Sequence, residues 1–165
     1  MGGQIWSAEI SGEDGAWKLT GAKQISNVPA GVGEFKISPD EKKVMYISYV
    51  KSDVKSPTDC YSDLDKATAY TTDDLMYRHW DHTVMEIPHT YTADFAFNGS
   101  VTPASSKDIL EGEKELYELP TEPFGGIEQL CWSPDGNYIA YSCRKVTGKK
   151  YAFSTNTEIY IYNVA

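Results

Sequence analysis

One pattern, written twice, constrains this chain more than any other feature. Residues 36–48 read KISPDEKKVMYIS, and residues 131–142 read CWSPDGNYIAYS. Ser38, Pro39 and Asp40 return 95 positions on as Ser133, Pro134 and Asp135, and Val44 and Tyr46 return as Ile139 and Tyr141. In Ser133-Pro134-Asp135-Gly136, proline presets φ for the second position of a type I turn, aspartate suits the third, and glycine suits a left-handed position after it. The flanks alternate: Leu130 and Trp132 share one face, and Ile139, Tyr141 and Cys143 share a face on the return strand. Each copy is therefore expected to be a β-hairpin. The copies differ at one point, where Glu41 stands in the glycine position. A side chain there costs about 1 kcal/mol, so that turn is expected to be strained or of another type.

Each hairpin is followed, after a loop, by another strand candidate: HTYTADFAF at 89–97 and TEIYIYNV at 157–164. The chain opens on a similar segment, QIWSAEI at 4–10, followed by a turn and KQIS at 23–26. Four antiparallel strands with a recurring turn are the signature of a β-propeller blade of about 40–50 residues. The sequence predicts an all-β fold: a partial β-propeller of about two blades, with residues 1–165 forming a single fragment of a propeller domain. Two blades cannot close a ring of four to eight. Both lateral faces are then expected to be apolar, and the isolated chain is expected to self-associate.

The surplus between the two copies lies at 51–87 and reads as a loop-plus-helix insertion within a blade. Its first half is rich in Ser, Asp, Lys and Thr. In its second half Thr72 suits an N-cap, Asp73 and Asp74 suit the positive end of a helix dipole, and Met76, Trp80 and Val84 fall on one helical face.

The SPDGNYIAYS hairpin resembles the WD40-like repeat of Tol-type periplasmic propellers and of prolyl oligopeptidase-type serine peptidases. The insertion is more specific: its core, DLMYRHWD at 74–81 followed by IPH at 87–89, resembles a segment of bacterial acylaminoacyl-peptidase and dipeptidyl-peptidase-like members of the prolyl oligopeptidase family. That resemblance implies a propeller set over a separate α/β-hydrolase domain, screening and orienting the peptides that reach a Ser-Asp-His triad. Such a nucleophile normally stands in G-x-S-x-G, a pattern that does not occur here. Ser100 in FNGSVTP lacks the second glycine and the strand–helix setting. The family's catalytic residues map to no position of this chain, and no cofactor is implied. Dipeptidyl peptidases also hold the substrate ammonium with a Glu pair on a propeller helix; Asp73-Asp74 does not match that motif. The implied partners are the hydrolase domain, the remaining blades and the peptide substrate. The alternative is a Tol-type binding or scaffold propeller without enzymatic activity.

Composition removes other classes. The net charge is −9, and basic residues never run beyond two in a row. A nucleic-acid binder needs a positive surface to displace counterions, and an anionic membrane is disfavoured for the same reason. No apolar run approaches the roughly 20 residues of a membrane helix. The N-terminus reads as carrying no signal peptide, which says nothing of a longer parent, so exported, periplasmic and cytoplasmic locations all stay open. The three cysteines lack metal-like spacing and read as buried free thiols. Aromatics make up 13% of the chain, with 12 Tyr, which favours strands.

Chemistry candidates centre on RHWDH at 78–82. His79 and His82, three apart on a helix, could share a metal with Asp81 adjacent and His89 as a third ligand. Helical zinc pairs, however, normally use H-E-x-x-H. The favoured reading has His79 packing beside Trp80 and donating to a backbone carbonyl. As substrate-gate contacts the residues of choice are Arg78, His79, Trp80 and His82; Arg78 could fork onto a peptide carboxylate or pair with Asp74. The segment at 111–118 reads as a solvated connection, and 148–156 as a long mobile loop.

Overall fold

The computed structural model describes residues 2–13, 15–72 and 82–164. Three antiparallel sheets follow one another in chain order. The first pairs β1 (Trp6–Ser11) with β2 (Lys18–Gln24). The second is a four-stranded meander of β3 (Phe35–Ile37), β4 (Lys43–Lys51), β5 (Glu86–Asp94) and β6 (Ser106–Asp108). The third joins β7 (Leu130–Trp132), β8 (Tyr138–Cys143) and β9 (Glu158–Asn163). Among the described residues two short α-helices, α1 (Pro57–Cys60) and α2 (Lys149–Phe153), lie in the connections.

The repeated turns fold by one set of hydrogen bonds. Ser38 Oγ donates to Asp40 Oδ1 at 2.7 Å and accepts from Lys43 N at 2.9 Å, while Asp40 Oδ1 accepts from Lys42 N at 3.2 Å. Ser133 Oγ donates to Asp135 Oδ1 at 2.5 Å and accepts from Tyr138 N at 2.9 Å, while Asp135 Oδ1 accepts from Asn137 N at 3.1 Å. The backbone closes each turn in the same way, Glu41 N to Ser38 O and Gly136 N to Ser133 O, both at 2.9 Å. Glu41 adopts φ +58° and Gly136 φ +72°. The first turn is thus of the same type as the second, and Glu41 occupies the left-handed conformation that glycine adopts freely.

The repetition extends into the third strand. Tyr46 faces Tyr91 across β4 and β5, and Tyr141 faces Tyr160 across β8 and β9. Both ring pairs stack with centroids 5.4 Å apart, a cross-strand contact that adds to the burial of the rings.

Strand β4 shows how the sheets are held. Val44 and Tyr46 enter a core with Ile5, Ile25, Val28 and Val32 from the first sheet region. Met45, on the opposite face, enters a core with Leu130, Ile139, Tyr141 and Cys143 of the third sheet. Alternate side chains of one strand therefore serve two cores. The second sheet is covered on both faces, which is why β4 reads as a near-continuous apolar run. Fully burying a side chain of this size contributes about 1.5–3 kcal/mol. Polar contacts stitch the same junctions: Lys36 Nζ donates to Ile127 O and Leu130 O, Trp132 Nε1 donates to Lys36 O, and Ser7 Oγ donates to Phe97 O.

The outer faces differ. On β9, Ile161 and Ile159 are 72% and 81% exposed. Ala140 pairs with Ile161 as Met45 pairs with Thr92, and Ser142 pairs with Ile159 as Ile47 pairs with Thr90. Thr92 and Thr90, at the matching positions of the second sheet, are 4% and 0% exposed. At the other end of the stack, Trp6, Ile10 and Leu19 are exposed on the first sheet.

Several expectations are corrected. β5 begins three residues before the predicted strand and ends at Asp94; its pairing with β4 continues to Lys51↔Glu86. β2 covers Lys18–Gln24 rather than 23–26, and Ser26 forms an isolated bridge to Val101. The loop-like half of the insertion carries α1, with Ser56 at its N-cap and Asp59 closing a capping box. The predicted helix falls on 73–81, outside the described residues; Val84, its last predicted position, is buried in non-helical backbone. The 148–156 loop contains α2, because Tyr151 buries its ring there. Glu118, expected in solvent, is 2% exposed. All three cysteines are free, but only Cys143 is buried; Cys60 and Cys131 are exposed, the latter because it faces outward between Leu130 and Trp132.

Candidate functional site

Described residues of the 52–85 and 109–129 connections line one cavity with Tyr49, those of 109–129 and 144–157 line another, and Glu122 borders both. Tyr49 stands near the end of β4 and donates from Oη to Glu122 Oε1 at 3.0 Å. Partial burial, and then the carboxylates of Glu122, Glu34 and Glu86, push the Tyr49 phenol up to about 12. Tyr49, Glu86 and Glu122 line an open cavity of about 440 Å³ together with Lys51, His82 and Met85. Lys51 is also drawn to Asp59 of α1, 3.7 Å away.

A second cavity, of about 560 Å³, lies on the other side of Glu122. Arg144, just past the end of β8, lines it. Its guanidinium lies 3.7 Å from the Tyr151 ring centroid, and Nη1 donates to Ser154 O at 3.2 Å. Tyr151 in turn donates from Oη to Glu118 Oε2 at 2.7 Å. Burial and the Glu118 carboxylate push the Tyr151 phenol up to about 12. Leu119 ties this corner to the second sheet, its N–H bonding to Pro88 O and its carbonyl accepting from Thr90 Oγ1.

Of the predicted gate residues, His82 is exposed and lines the 440 Å³ cavity. Arg78, His79 and Trp80, with Asp81, lie outside the described residues. His89, considered as a third metal ligand, is buried in β5 and joins Asp108 Oδ2 through Nδ1 at 2.6 Å. Among the described residues no three His, Cys, Asp or Glu side chains gather as a metal would need. An Asp–His pair is two thirds of a hydrolytic triad. Here, however, Nε2 of His89 is buried and meets no hydroxyl or thiol among the described residues. The pair joins β5 to β6, and Asp108 Oδ1 also accepts from Leu110 N.

The turn residues Ser38, Pro39, Asp40, Ser133, Pro134, Asp135 and Gly136 lie in the two hairpins. The carboxyls of Asp40 and Asp135 are held below their ordinary range, first by the Ser38 and Ser133 hydroxyls and then by backbone N–H groups. Those bonds are spent within the turns. Sequence reasoning missed Tyr49, Glu122, Arg144 and Tyr151. The one available signal was the Tyr151-Ala152-Phe153 run inside a polar stretch, and of its two rings only that of Tyr151 is buried.

The chain is thus defined as an all-β stack of three antiparallel sheets with long connections converging at one corner. No protein-family model matches it. It is 50% identical over 134 residues to a dipeptidyl-peptidase 5 of Porphyromonas gingivalis, covering 81% of this chain and 19% of that protein. It is 38% identical over 148 residues to a dipeptidyl-peptidase 5 of Porphyromonas endodontalis, covering 88% and 20%. A fungal dipeptidyl-peptidase 5, from Arthroderma otae, is 27% identical over 172 residues, covering 94% and 22%. The chain spans about a fifth of the length of the curated relatives it matches.

Proposed function

We propose that this chain is a non-catalytic portion of a β-propeller in a serine peptidase of the prolyl oligopeptidase type, of dipeptidyl-peptidase rather than acylaminoacyl-peptidase kind. The observation that carries the reading is the 50% identity to one part of a dipeptidyl-peptidase 5. The stacking supports the propeller: the middle sheet is covered on both sides, as a blade within a ring is. The exposed Ile159 and Ile161 stand where the middle sheet has buried threonines. Further blades of the longer protein would cover those positions, and an α/β-hydrolase domain outside this chain would supply the nucleophile, base and oxyanion hole.

The role is to gate and orient peptides. The corner around Tyr49, His82 and Glu122, where the long 52–85 connection emerges, supports this, because long loops on a rigid sheet are where binding groups are commonly presented. The test is made in the longer protein. Replacing 52–85 by a short turn should admit longer peptides, raising kcat/KM for them relative to a dipeptide ester by about tenfold. An unchanged preference between short and long peptides, in a protein that still cleaves the ester, would overturn the gating role.

A further inference from the structure

We infer that the 560 Å³ cavity beside Arg144 is a binding site for a carboxylate carried next to an apolar group. The inference rests on the chain's own geometry and holds whether or not the peptidase reading does. Arg144 is part-buried, and its guanidinium carbon lies over the Tyr151 ring, 3.7 Å from the centroid. A guanidinium carries five N–H donors in a planar fork. Nη1 donates to Ser154 O, and Nε is buried with no hydrogen-bond partner among the described residues. No described carboxylate forms an ion pair with it within 4.0 Å. A partly desolvated cation with no described carboxylate in direct contact favours an anion at its free donors.

The surroundings select the shape of that anion. Ser142, Thr155 and Thr157 supply hydroxyls around the cavity, and exposed Phe124 offers an apolar wall. Glu122 is the acidic residue among the lining groups, and its Oε1 accepts from Tyr49 Oη in the neighbouring cavity. Glu118 lies behind Tyr151 and accepts the Tyr151 proton donor. The site therefore offers a fork for two oxygens beside a place for a side chain such as phenylalanine. A peptide presents such a group either at its C-terminus or on an acidic side chain.

The experiment uses the purified chain at neutral pH with three probes: N-acetylphenylalanine, its uncharged amide, and the α-amide of N-acetylglutamate. Binding is followed through the NMR signals of the Arg144 Nε–H and of the Ser154 and Thr155 amides. At least one acid should give saturable shifts with an affinity tenfold or more above that of the amide, as a charge-assisted pair would. The better of the two acids identifies the source, terminal or side-chain. Arg144→Gln should abolish the preference for the acid. Arg144→Lys should weaken it severalfold, since an ammonium cannot fork. If the Gln variant does not fold, the Lys variant decides alone. Equal binding of acid and amide, no saturation by any probe, or a folded variant with unchanged affinity would each overturn the inference.

Discussion

Gly136 packs against the carboxylate of Asp40: a Cβ on Gly136 would stand 3.3 Å from Asp40 Oδ1 and 3.8 Å from the Cβ of Ser38. The two repeated turns are neighbours in space. This contact explains why the copies differ. Gly136 is buried against the preceding turn, whereas Glu41, in the same left-handed conformation, is exposed and has room for a side chain. Gly136→Ala should therefore cost about 1–2 kcal/mol from the left-handed backbone alone, and more from crowding Asp40. Glu41→Gly should be neutral or stabilising by up to about 1 kcal/mol, the relief of strain exceeding the added entropy of the unfolded chain. Urea unfolding midpoints of the two variants check both signs.

How much of this was legible follows from which interactions are local. The paired turns were readable because serine, proline, aspartate and glycine act on backbone within five residues of themselves. The alternation of β8 was readable because its two faces differ in chemistry. Strand β6, a three-residue SKD segment, carries no apolar signal; its place is set by pairing with β5. Glu118 and Tyr151 looked like solvent residues because each is buried with a hydrogen-bond partner 33 positions away. The Arg144 cavity depends on the 109–129 and 144–157 connections meeting beside β8, which no local pattern encodes.

Acid should weaken the hairpins together. Asp40 and Asp135 both have carboxyls held below the ordinary 3.8 by hydroxyl and backbone donors. A depressed carboxylate contributes stability that is present above its unfolded value and lost as pH falls through its folded value. Stability should therefore fall as pH drops below about 3.8. The Asp40→Asn, Asp135→Asn double variant should show a shallower fall over that range. Thermal unfolding across the acid limb measures it.

The Tyr151–Glu118 bond gives the alkaline counterpart. A phenol raised from 10.0 to about 12 contributes stability that is present below its unfolded value and lost as pH rises through its folded value. Tyr151→Phe removes a donor from a buried carboxylate and should cost about 1.5–3 kcal/mol at neutral pH. It should also remove one late-ionising phenol from the ultraviolet titration. Unfolding at neutral pH and titration above pH 10 are the two readouts.

The open faces should make the isolated chain associate. Ile159 and Ile161 at one end, and Trp6, Ile10 and Leu19 at the other, leave apolar surface that a further sheet would cover. Ile159→Glu with Ile161→Glu should shift the chain toward monomer while leaving its melting temperature within a few degrees. Sedimentation velocity over a range of concentrations follows the change. A monomer at every concentration before substitution would remove the proposed role of these faces.

The proposal at stake is that this chain forms part of a peptidase's substrate-screening propeller whose hydrolytic machinery lies elsewhere in the longer protein. Incubating the purified chain with fluorogenic dipeptidyl substrates tests it most directly, with the longer protein as the positive control. The account predicts turnover by the longer protein and none by the chain. Turnover that co-purifies with the chain through successive columns, and that is lost on substitution of His89 or Asp108, would contradict it.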